Sequence, residues 1–298
     1  MMNTRRHLML GGMALASMAV LAAGPLSDNA SPAPRVVSLS WEATEHLLEL
    51  GITPIAAADA GDYRTWYVNP ALPPVVPNVG SRTEPNLELL VRMKPDLIII
   101  SPLLQDMKGR IERIAPVLVH DSFSQERDNL ELQRQSYLSL ARRLGREAQA
   151  QRRLKLMDER IAGMRALLAA RFGTALPAVA VIRFSSPTVV FFNGPNSMPQ
   201  HALELLGLAP AHRVTSSAWG ITQASITALG QVKQGVVLHI EPFTQQDKLF
   251  ATQLWQAMPF VKAKRFAALP SIWTYGGVFS IERLADSITQ ALLKLDAA

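Results

Sequence analysis

Aromatic residues outside regular hydrophobic patterns are the side chains of this sequence with the most binding chemistry. Only 6% of the chain is aromatic, yet several of these residues stand in segments rich in glycine, proline or serine. Loops beyond the strand ends of open α/β sheets collect ligands, and aromatic rings bind amphipathic molecules through apolar faces and polar edges. Loop packing explains any one of these residues equally well. Together they predict a binding site that contains Trp41, Trp66, Trp219, Trp273 and Tyr275.

Arg82 is the second candidate for ligand contact. It follows Gly80 and precedes a helix whose first turn contains Pro85, in the segment VGSRTEPNLELL. A guanidinium group at such a position can donate several hydrogen bonds to anionic oxygens in a cleft. The alternative is a helix-start arginine paired with Glu84, and these two interpretations stay open.

Nucleophile, phosphate-loop and metal motifs are missing from the sequence. The chain has no cysteine, and no two of its six histidines lie within five residues of each other. Disulfides and thiolate sites are therefore excluded, and the local histidine pairs that commonly bind metals are absent. There is also no G-x-S-x-G elbow, no Walker-type loop and no G-x-G-x-x-G after a strand. These absences weigh against an enzyme of the familiar classes without excluding one.

The positive net charge is weak evidence for a nucleic-acid partner. Lysine and arginine number 30 against 24 aspartates and glutamates, which gives +6. The basic residues are scattered, and the densest runs, Arg142–Arg143 and Arg152–Arg153, have acidic residues nearby. Solvated helix faces explain such runs better than a phosphate-binding patch does, so we expect no nucleic-acid partner.

The first 30 residues have the pattern of an export signal. A short basic start, Met1–His7, precedes sixteen residues without charge, Leu8–Ala23, and small and polar residues follow. This order is typical of a secretory signal, and the pair Arg5–Arg6 favours the twin-arginine type. We expect cleavage between Ala22 and Ala30 and export to the periplasm by the twin-arginine machinery. An ordinary signal or a retained membrane anchor are the alternatives.

The rest of the chain alternates strand and helix patterns. Arg35–Ser40 and Leu97–Ile100 predict strands, the second of the kind buried in parallel sheets, and Glu42–Leu50 and Asn86–Met93 predict helices. Three prolines predict a loop over Tyr63–Gly80. Such alternation with short connections predicts an α/β lobe with a mainly parallel sheet.

A single long helix is predicted in the middle of the chain. Arg146–Ala170 contains no proline, and its apolar residues follow spacings of three and four, which form one stripe. Strand and helix patterns resume beyond Gly173. A surface helix of one larger domain is the alternative to a strut between two lobes. The predicted organisation is a signal over 1–30, an α/β lobe over 31–143, a connecting helix over 144–172 and a second α/β lobe over 173–298.

Five collinear segments carry a specific resemblance. They are RTEPNLELL with the following MKPD, then RIAP, GPNS, LWQAMPFVKAKRF and WTYGG, which begin at Arg82, Arg113, Gly194, Leu254 and Trp273. In this order they resemble the family of periplasmic ferric-hydroxamate siderophore-binding proteins, over nearly the whole chain from about Val36. That family comprises class III substrate-binding proteins of ABC importers.

The resemblance implies two α/β lobes joined by a rigid helix, and a transport function rather than an enzyme. The protein would capture an Fe³⁺–hydroxamate complex between the lobes, as a monomer, and deliver it to an inner-membrane permease with its cytoplasmic ATPase. The siderophore fills the six iron positions, so neither a metal site nor an intrinsic cofactor is implied. Arg82 would bind the hydroxamate oxygens, and Trp41, Trp66, Trp219, Trp273 and Tyr275 would form an aromatic wall.

Two positions depart from the family pattern. Leu104 aligns where a ligand-contacting tyrosine is expected, and a lost hydroxyl removes one hydrogen bond of about 1 kcal/mol net. Family members dock on the permease through one acidic residue on each lobe. Glu88 fits the first of these positions, whereas Thr227 occupies the second, so Glu241 or an asymmetric contact would have to substitute.

Other cargoes and one other class of protein remain as alternatives. The same fold could carry a catecholate siderophore, haem or a corrinoid. Ferric tricatecholates carry strong negative charge and would require several basic residues, whereas neutral trishydroxamates suit the single Arg82 among aromatic rings. An exported hydrolase with an unrecognised catalytic pair is the third possibility.

Overall fold

The amino-terminal half of the chain forms a four-stranded parallel sheet. The computed structural model describes residues 34–215, 217 and 220–295, so the signal predicted over 1–30 lies outside the described residues. The elements of this half are β1 (Val36–Ser38), α1 (Trp41–Glu49), β2 (Ala56–Ala57), α2 (Ala60–Trp66), α3 (Leu87–Met93), β3 (Leu97–Ile100), a 3₁₀ turn (Pro102–Met107), α4 (Lys108–Ile111), β4 (Val117–Val119) and α5 (Asn129–Arg143). The strand order is β2-β1-β3-β4, and each neighbouring pair is parallel.

Strand β3 is at the centre of this lobe, as its sequence predicts. All four residues of the run LIII are buried, because a parallel sheet is covered on both faces and both faces of its inner strands must be apolar. Alternate residues of β3 pack into different cores. Ile98 and Ile100 contact one set of apolar residues, and Leu97 and Ile99 contact another.

The second helix lies in a segment that the prolines predict as a loop. The loop prediction for Tyr63–Gly80 is wrong at its beginning, because α2 runs from Ala60 to Trp66. Tyr63 and Tyr67 are four residues apart and stack with ring centroids 4.4 Å apart, both buried. Residues at this spacing share one face of a helix, and their burial holds the turn in place despite the downstream prolines.

A 26-residue helix connects the two halves. Helix α6 (Glu147–Phe172) confirms the predicted long helix and spans about 39 Å at ~1.5 Å per residue. Its buried stripe consists of Ala150, Leu154, Met157, Ile161 and Leu168. These residues share one continuous apolar core with residues of both sheets, so the described part of the chain from residue 34 onward forms one compact unit.

The carboxyl-terminal half forms a five-stranded mixed sheet. Its elements are β5 (Val179–Ser186), β6 (Val189–Asn193), α7 (Met198–Leu206), β7 (Ile221–Ser225), a 3₁₀ turn (Ile226–Gln231), β8 (Val236–Ile240), α8 (Gln246–Phe250), α9 (Gln253–Gln256), α10 (Pro259–Lys262), β9 (Phe266–Leu269) and α11 (Val278–Lys294). The order is β7-β6-β5-β8-β9, with β5, β8 and β9 parallel and β6 antiparallel to both of its neighbours.

The two edge strands of this sheet have the weakest sequence signals. Strand β7 contains no fully buried residue, and β9 contains one, Leu269. Edge strands with half-exposed residues show neither a continuous apolar run nor a strict alternation. Among the described residues, no helix combines the length and the apolarity that crossing a bilayer requires.

Candidate ligand-binding cleft

Two adjoining cavities lie between the sheets. They measure about 350 and 440 Å³, and Arg82, Trp273 and Tyr275 line both. The walls of the first cavity include residues directly after β1, β3 and β4, namely Ser40, Glu42, Ser101, Leu103, His120 and Phe123. The carboxyl ends of parallel strands meet at one edge of a sheet, which is where open α/β folds bind ligands. The combined space has the dimensions of a small-molecule site.

Arg82 is held in place at the junction of the two cavities. Its Nε donates to Asp59 Oδ2 at 3.0 Å, its backbone N–H donates to the same oxygen at 3.0 Å, and its guanidinium lies 3.6 Å from the centroid of the Trp41 ring. The proposed pair with Glu84 is therefore wrong. Within the described ranges, no hydrogen bond engages Nη1 or Nη2 of Arg82, which leaves these donors for a ligand.

Gly80 makes the turn before Arg82 possible. Its φ of +98° lies in the region that favours glycine, and an added Cβ would lie 2.8 Å from the carbonyl oxygen of Glu84. The backbone N–H of Asp59 donates to the carbonyl of Gly80 at 2.8 Å. This tight turn brings the backbone of Arg82 against the carboxylate that fixes its side chain.

The ring of Trp41 packs against the guanidinium group of Arg82. It is the first residue of α1 and is only 2% exposed, and its Nε1 donates to the carbonyl of Ala58 at 3.2 Å. Its ring contacts Tyr63, Tyr67 and Trp273 edge-on, at centroid distances between 5.0 and 6.1 Å. It forms part of the floor of the second cavity. Trp41 therefore positions the arginine and offers little surface of its own.

Trp66, Trp273 and Tyr275 are three of the five predicted wall residues, and the structure brings them together in the cleft. All three are partly exposed and line the second cavity, and Trp273 and Tyr275 also line the first. Trp66 ends α2, so it stands at a helix terminus and not in a loop. The Nε1 atom of Trp273 is buried without a hydrogen-bond partner among the described residues.

Arg183 is a cleft residue that the sequence analysis missed. It lies on β5, and its guanidinium carbon lies 4.8 Å from the ring centroid of Trp66 and 5.6 Å from that of Trp273. Burial lowers its pKa, although nearby Tyr275 acts in the opposite direction. No acidic side chain pairs with it in the described part of the chain. The sequence feature that could have identified Arg183 is its charge within the otherwise apolar run AVIRF.

Two buried histidines carry a hydrogen-bond chain to the first cavity. The N–H of Val278 donates to His46 Nε2 at 3.1 Å, so His46 in its neutral form carries its proton on Nδ1. That Nδ1 lies 3.0 Å from His120 Nε2, which must then accept, so the proton of His120 is on its own Nδ1. Burial lowers the pKa of both rings, that of His46 to about 3, and keeps them neutral. His120 thus lines the cleft as a hydrogen-bond donor.

A network of buried charges lies behind the cleft, and we call it the junction network: Glu45 and Glu49 on α1, Arg153 on α6, and Glu282 and Arg283 on α11. Glu45 is completely buried and accepts hydrogen bonds from the N–H of Gly277 at 2.7 Å, from Ser280 Oγ at 2.9 Å and from Arg283 Nη1 at 2.7 Å. Helices of both halves are therefore bound to each other through ion pairs.

The remaining predicted residues lie in three different places. Leu104 is 1% exposed and packs in the amino-terminal core, whereas its neighbour Leu103 is 61% exposed and lines the first cavity. The structure therefore does not bring Leu104 into the cleft. Glu88 is exposed in the first turn of α3. Trp219 lies outside the described residues.

No three histidine, aspartate or glutamate side chains of the described residues are arranged to hold a metal ion. The cleft offers nitrogen donors and aromatic faces beside the separate carboxylates of Glu42, Asp62 and Asp121. Such a set recognises a ligand with oxygen acceptors on an otherwise apolar body.

Comparisons with known proteins agree with this geometry. A family model described as "Periplasmic binding protein" matches residues 36–272. The iron(3+)-hydroxamate-binding protein FhuD of Escherichia coli K12 is 37% identical over 248 residues, which are 83% of this chain and 82% of that protein. The structure of siderophore-binding protein FhuD from Vibrio cholerae with bound Fe³⁺–Desferal has a TM-score of 0.85 at 40% identity, and the match covers 88% of this chain and 98% of that one.

A more distant structure extends the similarity at the level of the fold alone. The petrobactin-binding protein YclQ of Bacillus subtilis has a TM-score of 0.71 at 18% identity, with coverage of 88% of this chain and 93% of that chain. The arrangement of two sheets and a long helix is thus shared well beyond proteins of similar sequence.

Proposed function

This chain belongs to the periplasmic binding protein family, and on that premise we propose that it captures a ferric hydroxamate siderophore and delivers it to an ABC importer. It is a transport protein and not an enzyme. The observation that carries the choice of cargo is Arg82, fixed by Asp59 and Trp41 with two nitrogens unengaged by described residues, in a cleft walled by aromatic rings. The similarity to FhuD proteins over most of the chain supports the same cargo.

The chemistry of the cargo explains what the cleft contains. Three hydroxamate groups supply six oxygens to Fe³⁺ and cancel its charge, so iron enters as part of the ligand and requires no protein atom. Arg82 Nη1 and Nη2 donate to hydroxamate oxygens, and the Nδ1–H of His120 provides a further donor. Trp66, Trp273 and Tyr275 cover the carbon chain between the hydroxamates.

Arg183 changes the charge balance of the cleft, on which the choice between hydroxamates and catecholates depends. The sequence indicates a single arginine at the site, Arg82, but two arginines line the cleft. Three carboxylates, those of Glu42, Asp62 and Asp121, line it as well. A cleft with as many acids as this suits a neutral ferric trishydroxamate better than a ferric tricatecholate of high negative charge.

The finer parts of the proposal concern export and docking. We place the working protein in the periplasm, exported by the twin-arginine machinery after cleavage of residues 1–30, and active as a monomer. Glu88 would contact the permease from its exposed position on α3. We retain lobes over 31–143 and 173–298 with the connecting segment 144–172, and Trp219 as a further wall residue.

Tryptophan fluorescence tests the proposed cargo directly. Ferrichrome, ferric desferrioxamine B and a ferric tricatecholate are titrated into the purified protein. Saturable quenching by both hydroxamates and a much weaker response to the tricatecholate would support the proposal. Quenching by the tricatecholate alone, or by none of the three, would overturn it while leaving the family assignment intact.

A further inference from the structure

One carboxylate in the first cavity has no ion-pair partner among the described residues. Glu42 lines this cavity in the first turn of α1, and its Oε2 accepts a hydrogen bond from Ser40 Oγ at 2.6 Å. No arginine, lysine or histidine lies within ion-pair distance of it in the described ranges. Burial raises its pKa, and the hydrogen bond from Ser40 and the charge of Arg82, which lies beyond ion-pair distance, offset this only in part.

The neighbouring charges of the same cavity are already paired. Arg82 contacts Asp59 at 3.0 Å, and Asp121 contacts Arg127 at 2.7 Å. Removing an unpaired carboxylate from water is unfavourable unless a partner replaces the lost solvation. The first cavity therefore contains, in Glu42, an anionic position that a bound molecule can complete.

The surroundings of Glu42 suit an ammonium group. Trp273, Tyr275 and Phe123 line the same cavity, and aromatic faces attract cations and cover the methylene groups next to them. A carboxylate offers about four acceptor positions, of which Ser40 occupies one. An ammonium group brings three donors, so the two groups complement each other in both charge and hydrogen bonding.

We propose that Glu42 selects, among ferric trishydroxamates, those that carry a protonated primary amine at one end. The amine would pair with Glu42 while the neutral iron centre lies against Arg82. This inference rests on the proposed function and names the subclass of cargo within it. It predicts that linear siderophores with a free amine bind better than acetylated or cyclic ones of similar size.

A chemical double-mutant cycle tests this proposal. Ferric desferrioxamine B and its N-acetyl derivative share the same hydroxamates and differ in one charge. Each is titrated into the wild-type protein and into Glu42→Gln, a substitution that keeps the shape of the side chain and its acceptor for Ser40. We expect the wild-type protein to bind the amine form about tenfold more tightly, which corresponds to ~1.4 kcal/mol, because the ammonium group adds a charged hydrogen bond to Glu42. In Glu42→Gln the preference should disappear, with little change for the acetylated form.

Asp121→Asn is the matched control, because Asp121 lines the same cavity but already has Arg127 as its partner. This variant should keep the preference for the amine form. Equal affinity of the wild-type protein for the two ligands, or a preference that survives in Glu42→Gln, would overturn the inference while the proposed function stands. Failure of both ligands to bind the wild-type protein would overturn the proposed function itself.

Discussion

The junction network and the cleft differ in whether their charged side chains have ion-pair partners. In the junction network each acid contacts at least one arginine, and Glu45, at 0% exposure, also accepts two further hydrogen bonds. In the cleft, Glu42 and Arg183 have no ion-pair partner among the described residues, and Arg82 keeps two nitrogens unengaged. Paired charges hold the halves of the molecule together, whereas the unpaired ones are those that we propose a ligand completes. Stability and affinity should therefore respond to different substitutions.

The largest expected effect is on stability, in the junction network. Arg283→Ala removes the arginine that contacts both Glu45 and Glu49 and leaves a buried carboxylate without its partner. Loss of one member of a buried pair destabilises by about 3–5 kcal/mol. Urea unfolding followed by circular dichroism measures the loss. Arg142→Ala, which removes an exposed pair with Glu147, serves as the control and should change stability by less than about 1 kcal/mol. Equal losses in the two variants would contradict the comparison.

Arg82→Ala should have the largest effect on affinity. Removal of its donors to the hydroxamate oxygens should weaken binding of ferric desferrioxamine B about 100-fold, which corresponds to roughly 2.7 kcal/mol. The unfolding midpoint should change little, because the side chain is partly exposed. Fluorescence titration and thermal unfolding together check both parts. Unchanged affinity would remove Arg82 from the site.

Buried neutral histidines predict a loss of stability in acid. Burial lowers the pKa of His46 to about 3 and that of His239 to about 4, whereas an unfolded histidine has a pKa of about 6.5. Below pH 6.5 the unfolded state therefore binds more protons than the folded state, and stability falls as the pH falls. Between pH 7 and pH 5 each ring should contribute a loss of about 2 kcal/mol.

His239→Phe isolates one of these contributions, since His239 stacks on Phe266 within an aromatic core. The variant should lose about 2 kcal/mol less than the wild-type protein between pH 7 and pH 5. Urea unfolding at the two pH values provides the measurement. An identical loss in both proteins would show that the ring is protonated in the folded state.

The smallest expected effect is a gain in stability, on substitution of Arg183. It tests most directly whether cleft charges differ from those of the junction network. Arg183→Met removes a half-buried cleft charge that has no acidic partner among the described residues. Because the charge is desolvated without compensation, we expect stability to rise by up to about 1 kcal/mol while ligand affinity falls. Thermal unfolding without ligand and fluorescence titration are the measurements. A large decrease in stability would mean that Arg183 acts as the junction charges do.

The sequence was sufficient where local pattern decides structure. The apolar run of β3, the periodic stripe of α6 and the turn before Arg82 each depend on neighbouring residues, and the structure contains all three. The long collinear resemblance also identified the family. The position of Arg82, Trp66, Trp273 and Tyr275 in the cleft was predictable because the arginine stands between a turn and a helix and the aromatic residues stand outside regular hydrophobic patterns.

Features that depend on pairing between distant segments were not predictable in the same way. The partner of Arg82 is Asp59, 23 residues away, and not Glu84, which is close in sequence. His46 and His120 are 74 residues apart, so their contact follows from the packing of α1 against the end of β4. Leu104 aligned with a family position, but the 3₁₀ turn directs Leu103 to the cavity. A sequence alignment does not show which of two adjacent residues in a turn faces the cavity.

The rings of His46 and His120 link the amino-terminal end of α11 to the cleft through hydrogen bonds. Val278 is the first residue of α11, and N–H groups at such a position are the positive end of the helix dipole. Its proton points to His46, the proton of His46 points to His120, and the proton of His120 is the last in the series. The two hydrogen bonds run in the same donor-to-acceptor order, so each polarises the next. His46 and His120 thus connect the positive amino-terminal end of α11 to the cleft, although the backbone of the helix does not enter the cleft.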